Sequence, residues 1–186
     1  NSVRFTMEAD SLNAAVLGLD AAPGTEEFDL FVKEVVREMT VKAGQKCTAI
    51  RRVIAPHAYS DALIESLRAR LGKTVVGNPA DEAVRMGPLA SLEQREEVRA
   101  RIRDLAADAE IVAGDPDNPS VQSGDAVAGA FLNPVLLYCD KPGSARAIHD
   151  VEAFGPVSTV MPYDTAQEAV DLARRGKGSL VASVFT

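Results

Sequence analysis

The sequence predicts an α/β protein, a three-layer sandwich around a largely parallel β-sheet. Stretches with the composition of strands alternate along the chain with stretches whose apolar residues recur at helical spacing, which is typical of βαβ units. The 186 residues are 46% hydrophobic and 25% charged, as in globular chains that bury a sizeable core. There is no internal repeat and no low-complexity segment, so we expect a single domain over residues 1–186.

The predicted strands are short apolar runs, some of them alternating with polar residues and most of them ended by Gly, Pro or polar residues. In chain order they are residues 3–7, 48–55, 73–77, 110–114, 130–139, 156–163 and 179–185. Between 115 and 129 the chain is a polar loop rich in Asp, Gly and Ser.

Helices are predicted between these strands. The longest carries apolar residues on one face and is ended by Gly44; these residues are Phe28, Phe31, Val32, Val35, Val36 and Met39. Residues suited to begin other helices are Asp10 with Ser11, Ser60, Ser91 with Gln94 in a capping box, and Asp164 with Gln167. In the last helix Ala169, Val170 and Ala173 are expected to face inward.

Composition excludes several classes of function. The formal net charge of −7 disfavours nucleic acid and anionic membranes as partners, and no apolar run reaches membrane-spanning length. Two cysteines make no disulfide framework, which favours a reducing, cytoplasmic location. The chain opens without Met and closes on an apolar run, so we expect a fragment of a longer protein.

One cysteine lies in a context suited to chemistry. In "KAGQKCTAIRR" (42–52), Cys47 follows a Gly-initiated turn and the positive charge of Lys46, which is expected to lower the thiol pKa. A turn also frees backbone N–H groups that can bind an oxyanion. A lone cysteine is nevertheless more often a packed core residue, and these residues alone leave that alternative open.

The other candidates carry weaker signals. Cys139 ends an apolar strand, so core packing is expected. His57 and His149 have no metal-ligand spacing, and we expect no metal site. The sequence leaves a catalytic Cys–His pair open, but no motif supports one. Taken alone, Glu8 and Glu152 are most simply solvated turn residues.

Three segments together resemble the aldehyde dehydrogenase superfamily. "MEADSLN", "AGQKCTAIRR" and "EAFGPVSTVMPY" occur in the order and spacing of that family, and "GNPADEAVRMGPL" (77–89) resembles a further landmark between them. The resemblance covers essentially the whole chain. It implies the catalytic domain of such an enzyme, with most of the nucleotide-binding domain outside these residues.

The resemblance also implies roles for individual residues. Cys47 matches the nucleophile, and its backbone N–H would be half of the oxyanion hole. Glu8 matches the glutamate that activates the hydrolytic water. Glu152 matches the carboxylate that holds the nicotinamide ribose of NADP or NAD, and Phe154 packs near the nicotinamide. Most members carry Glu-Leu-Gly-Gly where this chain has "EADS" (8–11), which changes the backbone beside the nicotinamide.

Within the family, the segments resemble the aldehyde dehydrogenase part of the bifunctional ring-opening enzymes of phenylacetate catabolism, which oxidises a CoA-linked semialdehyde with NADP. The semialdehyde dehydrogenase of the benzoyl-CoA pathway is a close relative that these motifs do not separate from them. Glu8 favours the acid-forming branch, because CoA-acylating members need no water-activating carboxylate. The resemblance implies a homo-oligomer and little turnover by these 186 residues alone.

Two other classes of function stay open. The chain could be a non-catalytic structural or oligomerisation module, in which Cys47 is no more reactive than Cys139. It could also be a cysteine acyltransferase or thioesterase in which His57 or His149 controls the pKa of Cys47.

Overall fold

The computed structural model describes residues 10–186, and this part of the chain folds around one β-sheet. Its six strands are β1 (Asn13–Leu17), β2 (Ile50–Pro56), β3 (Glu110–Ala113), β4 (Val135–Tyr138), β5 (Val157–Tyr163) and β6 (Ala182–Phe185). They are ordered β3-β4-β5-β2-β1-β6. All neighbours pair in parallel except β3, which lies antiparallel to β4 at one edge. The largely parallel sheet is therefore confirmed.

Helices cover both faces of the sheet. They are α1 (Glu26–Thr40), α2 (Ser60–Leu71), α3 (Leu92–Leu105), α4 (Ala147–Asp150) and α5 (Ala166–Arg174). The apolar faces of α1 and α2 form one core with the sheet, and those of α3, α4 and α5 form a second core on its other side. This arrangement confirms the three-layer sandwich. Within residues 10–186, no helix has both the length and the apolar character that a membrane crossing requires.

The central strands are buried along their whole length. Every residue of β2 and of β5 is buried, as expected for parallel strands that have helices on both faces. The loops that enter these two strands are therefore anchored in the buried centre of the sheet.

The long helix α1 follows the predicted pattern. Thr25 caps it by accepting a hydrogen bond from the N–H of Phe28, and three acidic residues in its first turn complement the helix dipole. The predicted apolar face is buried except for Val36, which is half-buried.

Of three further expectations, one lies outside the described residues and the other two were wrong. The predicted strand at 3–7 lies outside the described residues. Asp10 and Ser11 begin no helix, because the chain passes directly into β1 and the Ser11 hydroxyl donates to Asn13 Oδ1. Residues 73–77 form no strand of the sheet; they make only isolated bridges to two loop residues, Met86 and Gln122.

Two predicted helix starts were wrong by one residue. Ser60 is the first residue of α2, and its hydroxyl donates to the Pro56 carbonyl instead of capping. The capping box of α5 is formed by Thr165 and Glu168, not by Asp164 and Gln167. In the resulting helix Val170 points outward and is 44% exposed, which contradicts the predicted inward position.

Candidate active site

Three loops bring the predicted site residues to one edge of the sheet. Cys47 precedes β2, Glu152 and Phe154 precede β5, and residues 10–12 lead into β1. Because these three strands are adjacent and parallel, the loops before them meet at the amino ends of the strands. Open α/β sheets usually bind ligands at the other end, beyond the carboxyl ends of the strands. Glu8 lies outside the described residues.

The turn before Cys47 has an unusual backbone. After α1 the chain makes a tight turn, Val41–Gly44, in which Lys42 (φ 54°), Ala43 (φ 51°) and Gly44 (φ 68°) are all left-handed. A left-handed conformation costs a non-glycine residue about 1–2 kcal/mol. Such strain persists where the surrounding structure holds it, and it is common at active sites. The sequence predicts Gly44 as a helix stop but not the two strained residues before it.

Gly44 is also where the two principal motifs touch. A Cβ at Gly44 would collide with the carbonyl of Gly155, and a Cβ at Gly155 would lie 2.8 Å from a methyl carbon of Val98. Gly44 is needed because the "AGQKC" turn packs against the backbone of the "EAFGP" loop, and Gly155 is needed because that loop packs against the Val98 side chain of α3.

A buried arginine joins these two loops. Arg51 donates from Nε to Glu152 Oε1 (3.0 Å), from Nη1 to the Gly155 carbonyl (2.7 Å) and from Nη2 to the Gly44 carbonyl (2.8 Å). Its guanidinium carbon also lies 5.5 Å from the ring centroid of Phe154. Burial lowers the pKa of Arg51, and the charge of Glu152 opposes that shift. The sequence singles out Cys47 and Glu152 but not this arginine.

Glu152 and Phe154 have different environments on the same loop. The Glu152 side chain is only 5% exposed, and its Oε2 accepts a hydrogen bond from the backbone N–H of Ser11 (2.8 Å). Phe154 is 37% exposed, so part of its ring faces solvent. The loop therefore combines a partly exposed aromatic ring with a buried carboxylate, and the buried Glu152 is not the solvated turn residue expected from the sequence alone.

Cys47 itself is exposed. Within residues 10–186 its backbone N–H makes no hydrogen bond, so this donor is free to bind an oxyanion. The Lys46 ammonium lies 2.7 Å from both carboxylate oxygens of Glu38. The positive charge expected to act on the thiol is thus largely balanced by Glu38.

Asn13 fixes the other side of the turn that contains Cys47. Its Nδ2 donates to the carbonyls of Cys47 (2.8 Å) and Ala49 (2.9 Å). Its Oδ1 accepts hydrogen bonds from the N–H groups of Leu180 and Val181. This amide is 1% exposed and fully bonded, so it ties Cys47 to β1 and to the entry of β6. The only signal in the sequence is an Asn at the start of an apolar run.

The residues that directly follow the 77–89 segment also contribute to the site. The N–H of Ala90 donates to Gln45 Oε1 (3.0 Å), and Gln45 Nε2 donates to the Lys42 carbonyl (3.1 Å). Gln94, at the start of α3, donates to the Phe154 carbonyl (3.1 Å). The stretch from Ala90 to Gln94 therefore supports both loops of the site.

The remaining candidates lie apart from Cys47. His57 follows the carboxyl end of β2, the end opposite to Cys47, and pairs with Asp164 at 3.4 Å. His149 is buried; its ring contacts the Pro142 carbonyl and the Arg52 guanidinium, and burial lowers its pKa to about 4. Cys139 is buried as expected, and burial raises the pKa of its thiol. In the described part of the chain neither histidine pairs with Cys47.

Comparisons with known proteins agree with this geometry. The model of the aldehyde dehydrogenase family matches residues 1–186. The chain is 55% identical over its whole length to a 3,4-dehydroadipyl-CoA semialdehyde dehydrogenase of Aromatoleum evansii, covering 36% of that protein. It is 44% identical over 102 residues, 54% of its length, to Protein MaoC of Klebsiella aerogenes, covering 29% of it.

Solved structures give the same result. A betaine aldehyde dehydrogenase of Staphylococcus aureus in complex with NAD+ aligns with a TM-score of 0.77 at 30% identity, over 94% of this chain and 33% of that one. An aldehyde dehydrogenase of Pseudomonas syringae with NAD+ and octanal aligns with a TM-score of 0.75 at 26% identity, over 89% of this chain and 32% of that one. The chain thus spans about a third of the length of these relatives.

Proposed function

The chain belongs to the aldehyde dehydrogenase family, and on that premise we propose that the protein oxidises an aldehyde to a carboxylic acid through a thioester on Cys47. The observation that carries the proposal is the environment of this cysteine. An exposed thiol, whose backbone N–H is free within residues 10–186, closely follows a strained turn that Arg51 joins to the "EAFGP" loop. A nucleophile for acyl chemistry needs this combination of access and fixed donors.

The substrate we propose is a CoA-linked semialdehyde of aromatic catabolism. The relative that is 55% identical over the whole chain bears the name of such an enzyme. Phenylacetate catabolism is our first choice of pathway, with a bifunctional parent protein, and the benzoyl-CoA pathway is the alternative. A bulky CoA group supplies binding energy far from the reacting carbon, which helps to orient the aldehyde.

The residues present fit the nicotinamide end of NAD or NADP. Phe154 offers an exposed aromatic ring, and each carboxylate oxygen of Glu152 accepts one hydrogen bond from the described residues, which leaves acceptor capacity for a hydroxyl group. When bound, the nicotinamide supplies a hydride acceptor for the substrate carbon. Phe154 would pack near the nicotinamide ring, and Glu152 would hold the nicotinamide ribose.

The chemistry of the chain's own residues follows from these positions. The Cys47 thiolate attacks the aldehyde carbon, and the carbonyl oxygen becomes an oxyanion that accepts a hydrogen bond from the Cys47 N–H. Loss of hydride from that carbon leaves an acyl thioester on Sγ. Glu8 then takes a proton from water, whose oxygen attacks the thioester carbonyl, so that the acid departs and the thiolate is restored.

Location and assembly belong to the same proposal. Both cysteines of the chain are free thiols, which fits a reducing, cytoplasmic protein. The net charge of −7 argues against nucleic acid or anionic membranes as partners. We take the full-length protein to be a homo-oligomer, and we expect little or no turnover from these 186 residues alone.

Substitution of each cysteine in the full-length protein tests the proposal. Cys47→Ser should reduce the rate of cofactor reduction to background, because the acyl-enzyme cannot form efficiently. Cys139→Ser is the matched control, since that thiol is buried, and it should retain turnover. Iodoacetamide should also label Cys47 faster than Cys139. Turnover by Cys47→Ser, or equal labelling of both thiols, would favour the non-catalytic module instead.

The acyltransferase or thioesterase alternative has no observation in its favour. Within residues 10–186 the histidines face other partners, Asp164 for His57 and Pro142 with Arg52 for His149. Replacing either histidine should therefore leave the alkylation rate of Cys47 unchanged.

A further inference from the structure

We propose that Arg51 is the positioning residue of this site. It sets the orientation of Glu152, and it fixes the turn before Cys47 (the nucleophile turn) against the "EAFGP" loop (the cofactor loop). This inference rests on the proposed function, because it gives a role to a buried residue that contacts the proposed cofactor-binding and nucleophile segments. It predicts that the two loops behave as one unit whose alignment depends on a single guanidinium.

The first support is the number of separate segments that Arg51 joins. Three of its nitrogens donate to three acceptors, Glu152, Gly155 and Gly44, at 2.7–3.0 Å. A fourth, longer contact of 3.5 Å reaches the Lys46 carbonyl, directly before the nucleophile. A planar guanidinium holds such acceptors in a fixed relative geometry, whereas an ammonium is a point charge that cannot. Lysine is therefore not an equivalent residue here.

The second support is the burial of the charge pair. The side chains of Arg51 and Glu152 are 4% and 5% exposed. Removing one partner of a buried pair leaves the other as an uncompensated charge, which costs much more than the pair itself contributes. Without Arg51, the Glu152 carboxylate would lose its charged partner and turn toward solvent.

The third support is that both oxygens of Glu152 are held before any ligand binds. Arg51 Nε engages Oε1, and the N–H of Ser11 engages Oε2. These two bonds set the plane of the carboxylate and hence the direction of its free lone pairs. The same guanidinium lies 5.5 Å from the centroid of the Phe154 ring, so it supports the aromatic surface as well.

The next residue on the strand supplies a matched control. Arg52 is also a buried arginine, 1% exposed, but it donates to the carbonyls of Leu12, Leu172 and Ala173. In the described part of the chain it contacts neither Glu152 nor the turn before Cys47. A purely structural loss should therefore look alike in both arginines, while a positioning loss should appear only at Arg51.

The experiment uses the full-length protein with Arg51→Gln, Arg51→Lys, Glu152→Gln, the double variant Arg51→Gln/Glu152→Gln, and Arg52→Gln. Two quantities are measured besides turnover: the Kd of NADPH and NADH by fluorescence titration, and the iodoacetamide alkylation rate of Cys47 without cofactor. Arg51→Gln should raise Kd by about tenfold or more and change the alkylation rate severalfold, while Arg51→Lys recovers only part of each loss. The double variant should bind cofactor no more weakly than Glu152→Gln.

The outcomes separate this inference from the proposed function. If the effects of Arg51→Gln and Glu152→Gln on Kd multiply, or if Arg52→Gln gives the same pattern, Arg51 is merely structural and the inference is overturned. If Glu152→Gln leaves Kd unchanged, the cofactor role of Glu152 is wrong, and the alkylation rate alone then decides whether Arg51 holds the turn. Should Arg51→Gln fail to fold, Arg51→Lys decides: wild-type values for both readouts would overturn the inference.

Discussion

Replacing Gly44 by alanine would separate backbone strain from the contact between the two motif loops. The added Cβ meets two obstacles. Gly44 has φ +68°, where alanine is strained, and the methyl group would collide with the carbonyl of Gly155. We expect Gly44→Ala to lower the stability of the protein and to disturb the Cys47 turn.

The magnitude can be built from these two effects. A left-handed alanine costs about 1–2 kcal/mol, and the reduced entropy of the unfolded chain returns about 0.4–1 kcal/mol. Overpacking against a neighbour that cannot easily move adds about 1–3 kcal/mol. Gly44→Ala should therefore lower the free energy of unfolding by about 1–5 kcal/mol, combining these ranges.

Two other glycines serve as controls for Gly44→Ala. Gly24 has φ +95° with nothing within 4 Å of an added Cβ, so Gly24→Ala should show the strain alone, about 1.5 kcal/mol or less. Gly143 has open space and an ordinary φ, so Gly143→Ala should be neutral or slightly stabilising. Urea unfolding gives the stabilities, and iodoacetamide labelling of Cys47 reports the turn. If Gly44→Ala proves no worse than Gly24→Ala by both measures, the contact between the loops is not what we infer.

Three further predictions concern other residues. Burial lowers the pKa of His149 to about 4 in the folded protein, so between pH 6.5 and 4 the unfolded chain binds more protons and the free energy of unfolding falls with falling pH. His149→Gln should remove this contribution, which lowers the free energy of unfolding by at most about 3 kcal/mol. Between pH 7 and pH 4.5 the urea midpoint of the variant should therefore fall less than that of the wild type. Asn13→Leu removes the donor to the buried Ala49 carbonyl and to the Cys47 carbonyl, and the acceptor of two loop N–H groups, so it should cost about 2–4 kcal/mol in urea unfolding; an unchanged midpoint would mean that water replaces the amide. Gln94→Ala removes the bond to the Phe154 carbonyl, so cofactor Kd should rise about twofold to tenfold in a titration while α3 keeps its Ser91 cap; an unchanged Kd would exclude a role for this bond.

The parts of the fold that follow from local pattern were predictable. Helix α1 is recognised from apolar residues at helical spacing, and these residues are buried in the structure. β1 was missed because "DSLN" offers residues that also begin helices, and only pairing with β2 and β6 decides between the two. Residues 73–77 have strand composition but find loop partners in place of the sheet.

The supporting residues of the site could not be predicted from local pattern. Arg51 bonds to Glu152 across 101 positions of sequence, and Asn13 bonds to Val181 across 168. In the sequence both are polar residues at the start of apolar runs, with nothing to indicate a partner. Cys47 and Glu152 were recognised through motifs, whereas the residues that fix them became visible only when the fold brought distant segments together.

The most direct test of the central claim is to trap the thioester on Cys47. The full-length protein with Glu8→Gln is mixed with cofactor and the CoA-linked semialdehyde, quenched, and the Cys47 peptide is weighed by mass spectrometry. We expect one burst of reduced cofactor, one equivalent per site, and an acyl adduct on Cys47, because the step that needs the glutamate base is blocked. Steady cofactor reduction with Cys47 unmodified would contradict the role of Glu8, and loss of reduction in a variant whose wild type is active would place Glu8 before hydride transfer.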